Sequence, residues 1–308
     1  MRYLQVQEIR CKHLLHRTGA SFAEFTLNPY IGCGFGCSYC YVPVLRAKRG
    51  QEGVDTWGSW VQVKVNAPDV VRREMLDVPR DAHILIGSAT DAWQPIEKRY
   101  RVSRGVLYEL SFYPNKVTIL TRSPLLIRDI DLLKRFERVS VHISLPTVDE
   151  RVRRVFEPHA PAVAGRLELT RRLLSARLRV TWAWCPFLPG VENTPEQIRR
   201  YVQTAAQVGV REIWVGRINY WSFLEGRYKA LLRKYRGEAG WTPRLLMREQ
   251  TEQMVKEECE KAGIVCRVRY YTGSAGTSPF THPFGGSRSV ATEKERLGRS
   301  LALQKDVT

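Results

Sequence analysis

Three cysteines lie close together near the amino terminus, and their spacing is the strongest chemical signal in the sequence. Cys33, Cys37 and Cys40 form the pattern Cys-x3-Cys-x2-Cys, with Tyr39 and Tyr41 on either side of the last cysteine. Thiolates bind soft metals and, above all, the irons of iron–sulfur clusters. Glycines alternate with these cysteines and allow a short loop to fold around a compact metal group. We therefore predict a metal cluster held by the three thiolates.

A zinc site is the alternative for the same thiols. Structural zinc sites usually combine paired cysteines with further ligands of matching type. Neither a second Cys-x2-Cys pair nor a His-x3-5-His pattern follows the loop. Three thiolates also leave one iron of a four-iron cluster without a protein ligand, as catalytic zinc keeps one open position. The pattern favours an iron–sulfur cluster with a reactive iron, and a non-catalytic cluster or zinc module is the lesser alternative.

Alternating strand and helix patterns must position this loop. The predicted strands cover residues 61–65, 83–86, 117–120, 139–145, 180–184, 212–215 and 264–268. The predicted helices between them cover residues 102–112, 125–136, 164–176, 195–208, 223–235 and 248–262. Repeated strand–helix units imply parallel strands with right-handed crossovers. We therefore expect an α/β fold with a partial (β/α)6 barrel, which resembles part of a TIM barrel.

The sequence outside this pattern divides the chain into segments. We assign residues 1–22 to an N-terminal extension and residues 23–236 to the core barrel. Residues 237–308 form the third segment, with a C-terminal helix, a strand and a tail. Because residues 270–289 are rich in glycine, serine, threonine and proline, we predict that this extension ends as a loop or lid.

Polar or small residues follow several predicted strands, where barrels of this kind place their chemistry. They are Ser88, Thr90, Asp91, Arg122, Ser144, Cys185, Pro186 and Gly216. Each polar residue also has a structural interpretation: a helix cap for the first three, a surface cation for Arg122, and a backbone-bonded hydroxyl for Ser144. Both interpretations are left open by the sequence.

The cysteine pattern, with an aromatic residue before the last cysteine, resembles the signature of the radical S-adenosylmethionine (SAM) superfamily. Further segments resemble the spore photoproduct lyase-related proteins of that superfamily, which are DNA repair photolyase-like. These segments are FTLNPY (25–30), TDAWQP (90–95), ILTRS (119–123) and EP (157–158). The resemblance covers roughly residues 5–220.

This resemblance implies a [4Fe–4S] cluster on the three cysteines, with SAM chelating the fourth iron. Reductive cleavage of SAM would then give a 5′-deoxyadenosyl radical that abstracts a substrate hydrogen. It also implies a partial barrel and a set of SAM-binding residues, namely Tyr39, Ser88, Thr90, Asp91, Arg122, Ser144, Arg154, Pro186 and Gly216. In this scheme Asp91 would face the SAM amino group, while Arg122 and Arg154 would face its carboxylate. Ser144 would contact the ribose.

Two residues are candidates for hydrogen-atom transfer. Cys185 would donate a hydrogen atom to a substrate radical, although a buried cysteine is more often a small apolar residue. Tyr41 matches a tyrosine of the lyase-related proteins and would relay a hydrogen atom or pack beside SAM. The lyase carries its hydrogen-donor cysteine near the second barrel strand, where this chain reads GSAT (87–90). That departure argues against the lyase reaction itself.

Composition sets the class of protein. The 308 residues are 44% hydrophobic and 26% charged, which is ordinary for a globular chain and unlike a disordered or collagen-like one. No apolar run approaches the roughly 18 residues of a spanning helix, and residues 1–19 lack the apolar core of a secretory signal. Seven cysteines without such a signal argue against a disulfide framework. We expect a cytoplasmic monomer without membrane contact.

The charge bears on the substrate. The chain carries 49 Lys and Arg against 31 Asp and Glu, a net charge of +18, which favours contact with nucleic acid. Arginine-rich composition without such a partner is the alternative. Candidate contacts are the cations Arg217, Arg227 and Lys229 and the aromatic residues His142, Tyr220, Trp221, Tyr271 and His282. We expect an enzyme acting on DNA or RNA, with a small molecule or peptide as the alternative substrate. An electron donor such as flavodoxin or ferredoxin is the expected partner.

Overall fold

A computed structural model describes residues 4–18, 22–51, 56–191, 194–219, 221–236 and 249–269. The strands described there form a large and a small sheet. In spatial order the large sheet contains β11 (Val265–Arg269), β10 (Glu212–Gly216), β9 (Arg179–Trp184), β8 (Val139–Ser144), β7 (Lys116–Thr121), β6 (His83–Ile86), β3 (Phe25–Leu27) and β2 (Leu15–Arg17). The small sheet contains β1 (Gln5–Ile9), β5 (Trp60–Lys64) and β4 (Tyr30–Gly32).

Helices connect the strands of the large sheet. The described α-helices are α1 (Val42–Ala47), α2 (Ala67–Glu74), α3 (Glu97–Tyr100), α4 (Val102–Leu110), α5 (Ile130–Leu133), α6 (Glu150–Phe156), α7 (Val163–Ser175), α8 (Pro195–Val208), α9 (Trp221–Arg236) and α10 (Glu249–Lys261). Short 3₁₀ helices cover Met75–Asp77 and Pro124–Asp129. The predicted start of α8 is confirmed, because Thr194 and Gln197 form a capping box just before and after Pro195.

Strands β3 and β6 to β11 all pair in parallel, and β2 pairs with β3 in antiparallel fashion at one edge. This mostly parallel sheet, with helices between its strands, confirms the predicted α/β partial barrel. Ile84, Ile119, Val141 and Ile213 alternate with residues that face the barrel interior, and all four are fully buried. Because the strands are parallel, their carboxyl ends meet at one rim, where the site is built.

One predicted strand belongs elsewhere, and one barrel strand was missed. Residues 61–65 do form β5, but β5 pairs with β1 and β4 and lies outside the large sheet. The strand that opens the barrel is instead β3, which pairs with β6 and ends six residues before Cys33. With only three residues, β3 is too short for an alternating pattern to reveal it.

The predicted helix 125–136 is also wrong in its interior. The segment forms the 3₁₀ helix Pro124–Asp129 and then the short α5. Asp129 interrupts the helix with φ −104° and ψ 12°, because its buried carboxylate accepts hydrogen bonds from Arg104, Arg128 and Trp93. The periodicity is therefore real, but a buried ion cluster divides the element.

The two ends of the described chain join the sheets. β1 pairs with β5 and β2 pairs with β3, so residues 4–18 are tied into both sheets. The predicted helix 248–262 and strand 264–268 appear as α10 and β11, and β11 extends the large sheet beside β10. The Gly/Pro-rich tail 270–289 lies outside the described residues. Among the described helices, none combines the length and apolar character needed to cross a lipid bilayer.

Candidate active site

A cavity opens at the carboxyl ends of the parallel strands. It holds about 1270 Å³ of space, its open mouth included. Cys33, Cys37 and Cys40 line it together with the ends of β6 to β10. The cysteine loop, between β4 and α1, therefore faces the strand ends that the sequence predicted as SAM contacts.

Two successive turns bring the three thiols to one wall. The backbone N–H of Gly36 donates to the carbonyl of Cys33 at 3.3 Å, and that of Cys40 donates to the carbonyl of Cys37 at 3.2 Å. Cys33 and Cys37 are buried, and Cys40 is half-buried. The short spacing is thus sufficient to place all three sulfurs at the same cavity.

Thr90 and Gln94 hold this loop in place through hydrogen bonds to its backbone. The Gly34 N–H donates to Gln94 Oε1 at 2.8 Å, and the Thr90 hydroxyl donates to the Gly32 carbonyl at 2.6 Å. The Gln94 amide in turn donates to Thr90 Oγ1 at 3.1 Å. The TDAWQP segment therefore braces the cysteine loop, a role that the sequence did not indicate, and the contact of Thr90 with SAM stays a prediction.

Gly32 permits the close approach of the loop to β5. Its φ is +83°, and a Cβ at this position would lie 2.6 Å from the carbonyl oxygen of Trp60. Any other residue would combine an unfavourable backbone conformation with a steric clash. Gly32, at the start of the cysteine loop, is thus required by the fold, whereas Gly34 has room for a Cβ, whose nearest neighbour would be Leu4 at 3.5 Å.

The chemistry of the thiols fits an iron–sulfur cluster. Burial raises the pKa of all three, that of Cys40 to about 12, so these thiols keep their protons unless a bound cationic group replaces them. Among the described residues, no three His, Cys, Asp or Glu side chains surround a single metal-ion position. The three thiols fit a group of several metal atoms, in which each thiolate binds its own iron.

Arg122, at the end of β7, joins the cysteine loop to the strand ends. Its Nη1 donates to Cys37 Sγ at 2.8 Å and to the Glu157 carboxylate, and its Nη2 donates to Ser144 Oγ at 3.2 Å. Its backbone N–H donates to Asp91 Oδ2 at 2.8 Å. Arg122 therefore lies in the cavity wall, as predicted, but its guanidinium already serves several partners.

Glu157 anchors this network, and its role was not recognised from the sequence. Its carboxylate accepts hydrogen bonds from Tyr39 and Arg122 and pairs with Arg166 at 2.6 Å. Burial acts to raise the pKa of Glu157, but Arg166 and Arg122 outweigh it and lower the pKa below its usual value. Glu157 is thus a buried carboxylate stabilised between two guanidinium groups. The EP segment was the signal available in the sequence.

Asp91 acts within the protein scaffold. Its Oδ1 accepts from the Thr121 hydroxyl at 2.7 Å and from the Trp93 N–H at 2.9 Å, while Oδ2 accepts from Arg122. Burial raises its pKa. Asp91 therefore closes a turn instead of capping a helix, and it ties the end of β6 to the end of β7. Its contact with the SAM amino group stays a prediction.

Ser88 and Tyr41 form a second contact between loop and strand. The Tyr41 hydroxyl donates to the Ser88 carbonyl at 2.7 Å. The Ser88 hydroxyl lies 2.6 Å from Thr26 Oγ1 and accepts from Asn28 Nδ2 at 3.2 Å. Both residues line the cavity, and these hydrogen bonds fix the positions of their side chains there.

Cys185, Pro186 and Gly216, at the ends of β9 and β10, also line the cavity. The Cys185 thiol donates to the Trp214 carbonyl at 3.5 Å, and burial raises its pKa to about 12. A Cβ on Gly216 would lie 2.9 Å from Cys185 Sγ. The absence of a side chain at Gly216 therefore leaves room for the thiol in the cavity.

The structure does not place Arg154 at the cavity, contrary to its predicted contact with the SAM carboxylate. Its side chain is 73% exposed, pairs with Glu150 on the same helix at 3.4 Å and does not line the cavity. The helix instead turns Arg153 inward, and the fully buried Arg166 of α7 reaches Glu157. The other predicted residues of the cluster, of SAM binding and of hydrogen-atom transfer all line the cavity, together with Phe22, Trp57, His142, Trp214 and Arg217.

Comparisons with known proteins follow this geometry. The family model of the radical SAM superfamily matches residues 27–193, which is more than half of the chain. An uncharacterized protein of Methanocaldococcus jannaschii is 29% identical over 186 residues, covering 60% of this chain and 69% of that protein. An uncharacterized protein of Mycobacterium bovis is 29% identical over 216 residues, covering 68% of this chain and 63% of that protein, which is less than two thirds of its length.

Solved structures of spore photoproduct lyase have the same fold. One variant aligns with a TM-score of 0.64 at 14% identity, covering 87% of this chain and 82% of that one. Another variant, with bound AdoMet and dinucleoside spore photoproduct, aligns with a TM-score of 0.61 at 14% identity and the same coverage. At such low identity the likeness concerns the fold. Because the family model matches more than half of the chain, including the cysteine loop and the ends of β6 to β9, this chain belongs to the radical SAM superfamily.

Proposed function

We propose that this protein is a radical SAM enzyme that holds a [4Fe–4S] cluster on Cys33, Cys37 and Cys40 and acts on nucleic acid. The observation that carries the proposal is the presence of these three thiols and Arg122 in one cavity at the carboxyl ends of the strands. Family membership implies SAM and an iron–sulfur cluster as cofactors. Flavodoxin or ferredoxin is the electron donor we propose.

The residues around the loop have defined tasks in this scheme. Cys33, Cys37 and Cys40 would hold the cluster, which would supply the electron for reductive cleavage of SAM and so the chemistry that removes a hydrogen atom from the substrate. Arg122 offers a cation to the SAM carboxylate from its place between Cys37 and Ser144. Glu157 and Asp91 hold this arginine, so that SAM binding does not have to order it.

Cys185 and the wall around it would serve the substrate radical. Since burial raises the pKa of this thiol to about 12, it keeps its S–H bond at neutral pH. A neutral thiol is the form that donates a hydrogen atom. Gly216 and Pro186 line the cavity with it, and we propose that adenosine lies against them.

The nucleic-acid substrate is supported by charge and by the fold. The net charge is +18. One of the solved structures with the same fold is spore photoproduct lyase in complex with dinucleoside spore photoproduct. Arg217 lines the cavity, and the exposed Arg227 of α9 contributes to the electrostatics at Cys40. Lys229 is instead held by Glu225 at 2.6 Å. We therefore place phosphate contacts at Arg217 and Arg227.

The cavity lining itself favours a second candidate, a small molecule or peptide. Its described charged residues are Arg122 and Arg217 against Asp91, so most of the positive charge lies outside the lining. Gel shifts with DNA and RNA at several salt concentrations separate the two candidates. Phosphate contacts produce a steep fall of affinity with salt. Salt-independent or undetectable binding would favour the second candidate.

Anaerobic reconstitution tests the cofactor assignment. Cys33→Ala, Cys37→Ala and Cys40→Ala are each expected to abolish the brown absorbance, the iron and sulfide content, and SAM cleavage by the reduced protein. The matched control is Cys11→Ala, which changes a half-buried thiol outside the cavity and should leave all three measurements unchanged. Full cluster loading of a Cys37→Ala protein would show that the ligands are wrongly assigned.

A further inference from the structure

The cavity continues below the strand ends into the barrel. Gly87, Arg122, Ser144, Cys185 and Gly216 form its upper layer. Two residues earlier on the same strands lie Leu85, Leu120, His142, Ala183 and Trp214, which also line it. Two residues of a strand span about 6.6 Å, so this second layer is a floor set well below the first.

Aromatic rings form much of this floor. The Trp214 ring lies 4.5 Å from the His142 ring and 5.2 Å from the Phe22 ring, with interplanar angles of 72° and 84°. The Trp214 indole N–H donates to Glu212 Oε1 at 3.0 Å. This hydrogen bond fixes the ring and occupies the polar atom of its side chain. The floor therefore presents rigid apolar ring surface, with His142 as its polar group.

His142 is unusual because its imidazole has no hydrogen-bond partner among the described residues. The residue is 7% exposed and lines the cavity. Among the described residues, its imidazole makes a ring contact with Trp214 and longer-range electrostatic interactions. By contrast, the buried His83 one layer lower is 2.7 Å from Thr118 Oγ1, and that hydroxyl is 2.9 Å from Ser140 Oγ. The layer below is satisfied within the protein, whereas His142 offers its nitrogens to the cavity.

We propose that this aromatic floor, made by His142, Trp214 and Phe22, receives the planar ring of a nucleobase, and that His142 hydrogen-bonds to the polar edge of that base. This inference rests on the proposed function and identifies which part of the substrate enters the barrel. His142 is then the residue that determines substrate specificity at the floor.

The chemistry of the floor selects this ligand class. Its described residues carry no carboxylate, ammonium or guanidinium group, so a charged side chain of a peptide would lose its hydration without gaining an ion pair. An aliphatic group would leave the imidazole nitrogens unsatisfied. A neutral imidazole has one donor and one acceptor, and burial keeps His142 neutral by lowering its pKa to about 4. Extruded bases are recognised in this way, by aromatic surfaces and hydrogen bonds to the polar edge.

Calorimetric titration of the reconstituted protein, with S-adenosylhomocysteine present, tests the floor. The probes are the four deoxynucleoside 5′-monophosphates, with 2-deoxyribose 5-phosphate and N-acetyltyrosinamide as comparison ligands. We expect at least one nucleotide to bind more tightly than both comparison ligands. His142→Phe should weaken that binding about tenfold, since the ring remains and the hydrogen bond is lost. His142→Gln, which keeps a donor and an acceptor, should retain affinity within about threefold of the unaltered protein.

His83→Gln is the matched control, because it alters a second buried histidine that does not line the cavity. Its nucleotide affinity should equal that of the unaltered protein. Equal affinity in His142→Phe, preferential binding of N-acetyltyrosinamide, or no nucleotide binding at all would each overturn the inference. Loss of affinity for S-adenosylhomocysteine alone would also overturn it, because the floor would then belong to SAM. Cluster content and SAM cleavage, measured on the same samples, report separately on the proposed function.

Discussion

Replacing Glu157 with glutamine removes the charge that joins the cysteine loop to the strand ends. The Glu157 side chain is 1% exposed and pairs with Arg166, which is fully buried, and with Arg122. Glutamine keeps the shape of the side chain. It leaves Arg166 without a carboxylate partner among the described residues, and it leaves Arg122 with only the weaker contact to Asp91 at 4.0 Å.

The expected cost follows from this burial. Removing one partner of a buried ion pair typically costs about 3–5 kcal/mol, because the remaining charge is left uncompensated. Because two guanidinium groups lose the same carboxylate, we expect the free energy of unfolding to fall by about 4 kcal/mol. With a urea dependence of roughly 3 kcal/mol per molar for a chain of this size, the midpoint should fall by about 1 M.

Urea unfolding of the cluster-free protein at pH 7.5, followed by far-ultraviolet circular dichroism, measures this change. Iron content after reconstitution should fall as well. Tyr39 of the cysteine loop donates to Glu157, and Arg122 contacts both Glu157 and Tyr39. Glu168→Gln is the control. Its pair with Arg171 is more than half exposed on both sides, so the cost should stay within about 1 kcal/mol. If Glu157→Gln unfolds at the same urea concentration as Glu168→Gln, the carboxylate does not hold the site together.

Two further predictions concern the cavity walls. Gly216→Ala places a Cβ 2.9 Å from Cys185 Sγ, so it should lower the free energy of unfolding by about 1–3 kcal/mol and weaken SAM binding measured by calorimetry. Gly226→Ala, with nothing within 4 Å of its Cβ, should leave SAM affinity unchanged, and equal affinity in both variants would contradict the crowding argument. Stability should also fall as pH drops from about 6.5 to about 4, because the unfolded chain protonates His142 while the folded protein keeps its pKa at about 4. This histidine contributes about 3 kcal/mol to that loss, so thermal unfolding of His142→Phe should depend less on pH, and an identical pH dependence would refute the assignment.

Local patterns were enough to predict much of the architecture. The predicted runs at 83–86, 117–120, 139–145, 180–184 and 212–215 correspond to β6 to β10, since a buried parallel strand is a continuous apolar or β-branched segment. The short β3 and the separate sheet containing β5 could not be predicted in this way. Strand partners depend on which segments meet in space, and three residues carry too little pattern to identify a strand.

The same distinction applies to the site. Cys33, Cys37 and Cys40 could be identified from the sequence, because their short separation brings the thiols to one wall whatever the remainder of the chain does. Arg122 was predicted from its place after a strand, yet its partners Cys37 and Glu157 lie 85 and 35 residues away. Contacts at such separations depend on the strand order.

The choice among neighbouring arginines shows most clearly what the tertiary structure decided. The sequence by itself determined the parallel α/β scaffold and predicted a cysteine-held cluster and the strand ends at which a ligand would bind. From the sequence we predicted Arg154 as the cation near the fourth barrel strand and did not identify Arg153 or Arg166. Arg154 is exposed and Arg166 is buried against Glu157 because of how α6 and α7 are each rotated about their axes relative to the sheet. Likewise, the inward direction of His142 depends on the strand pairing that closes the floor, because side chains alternate between two faces and burial selects one.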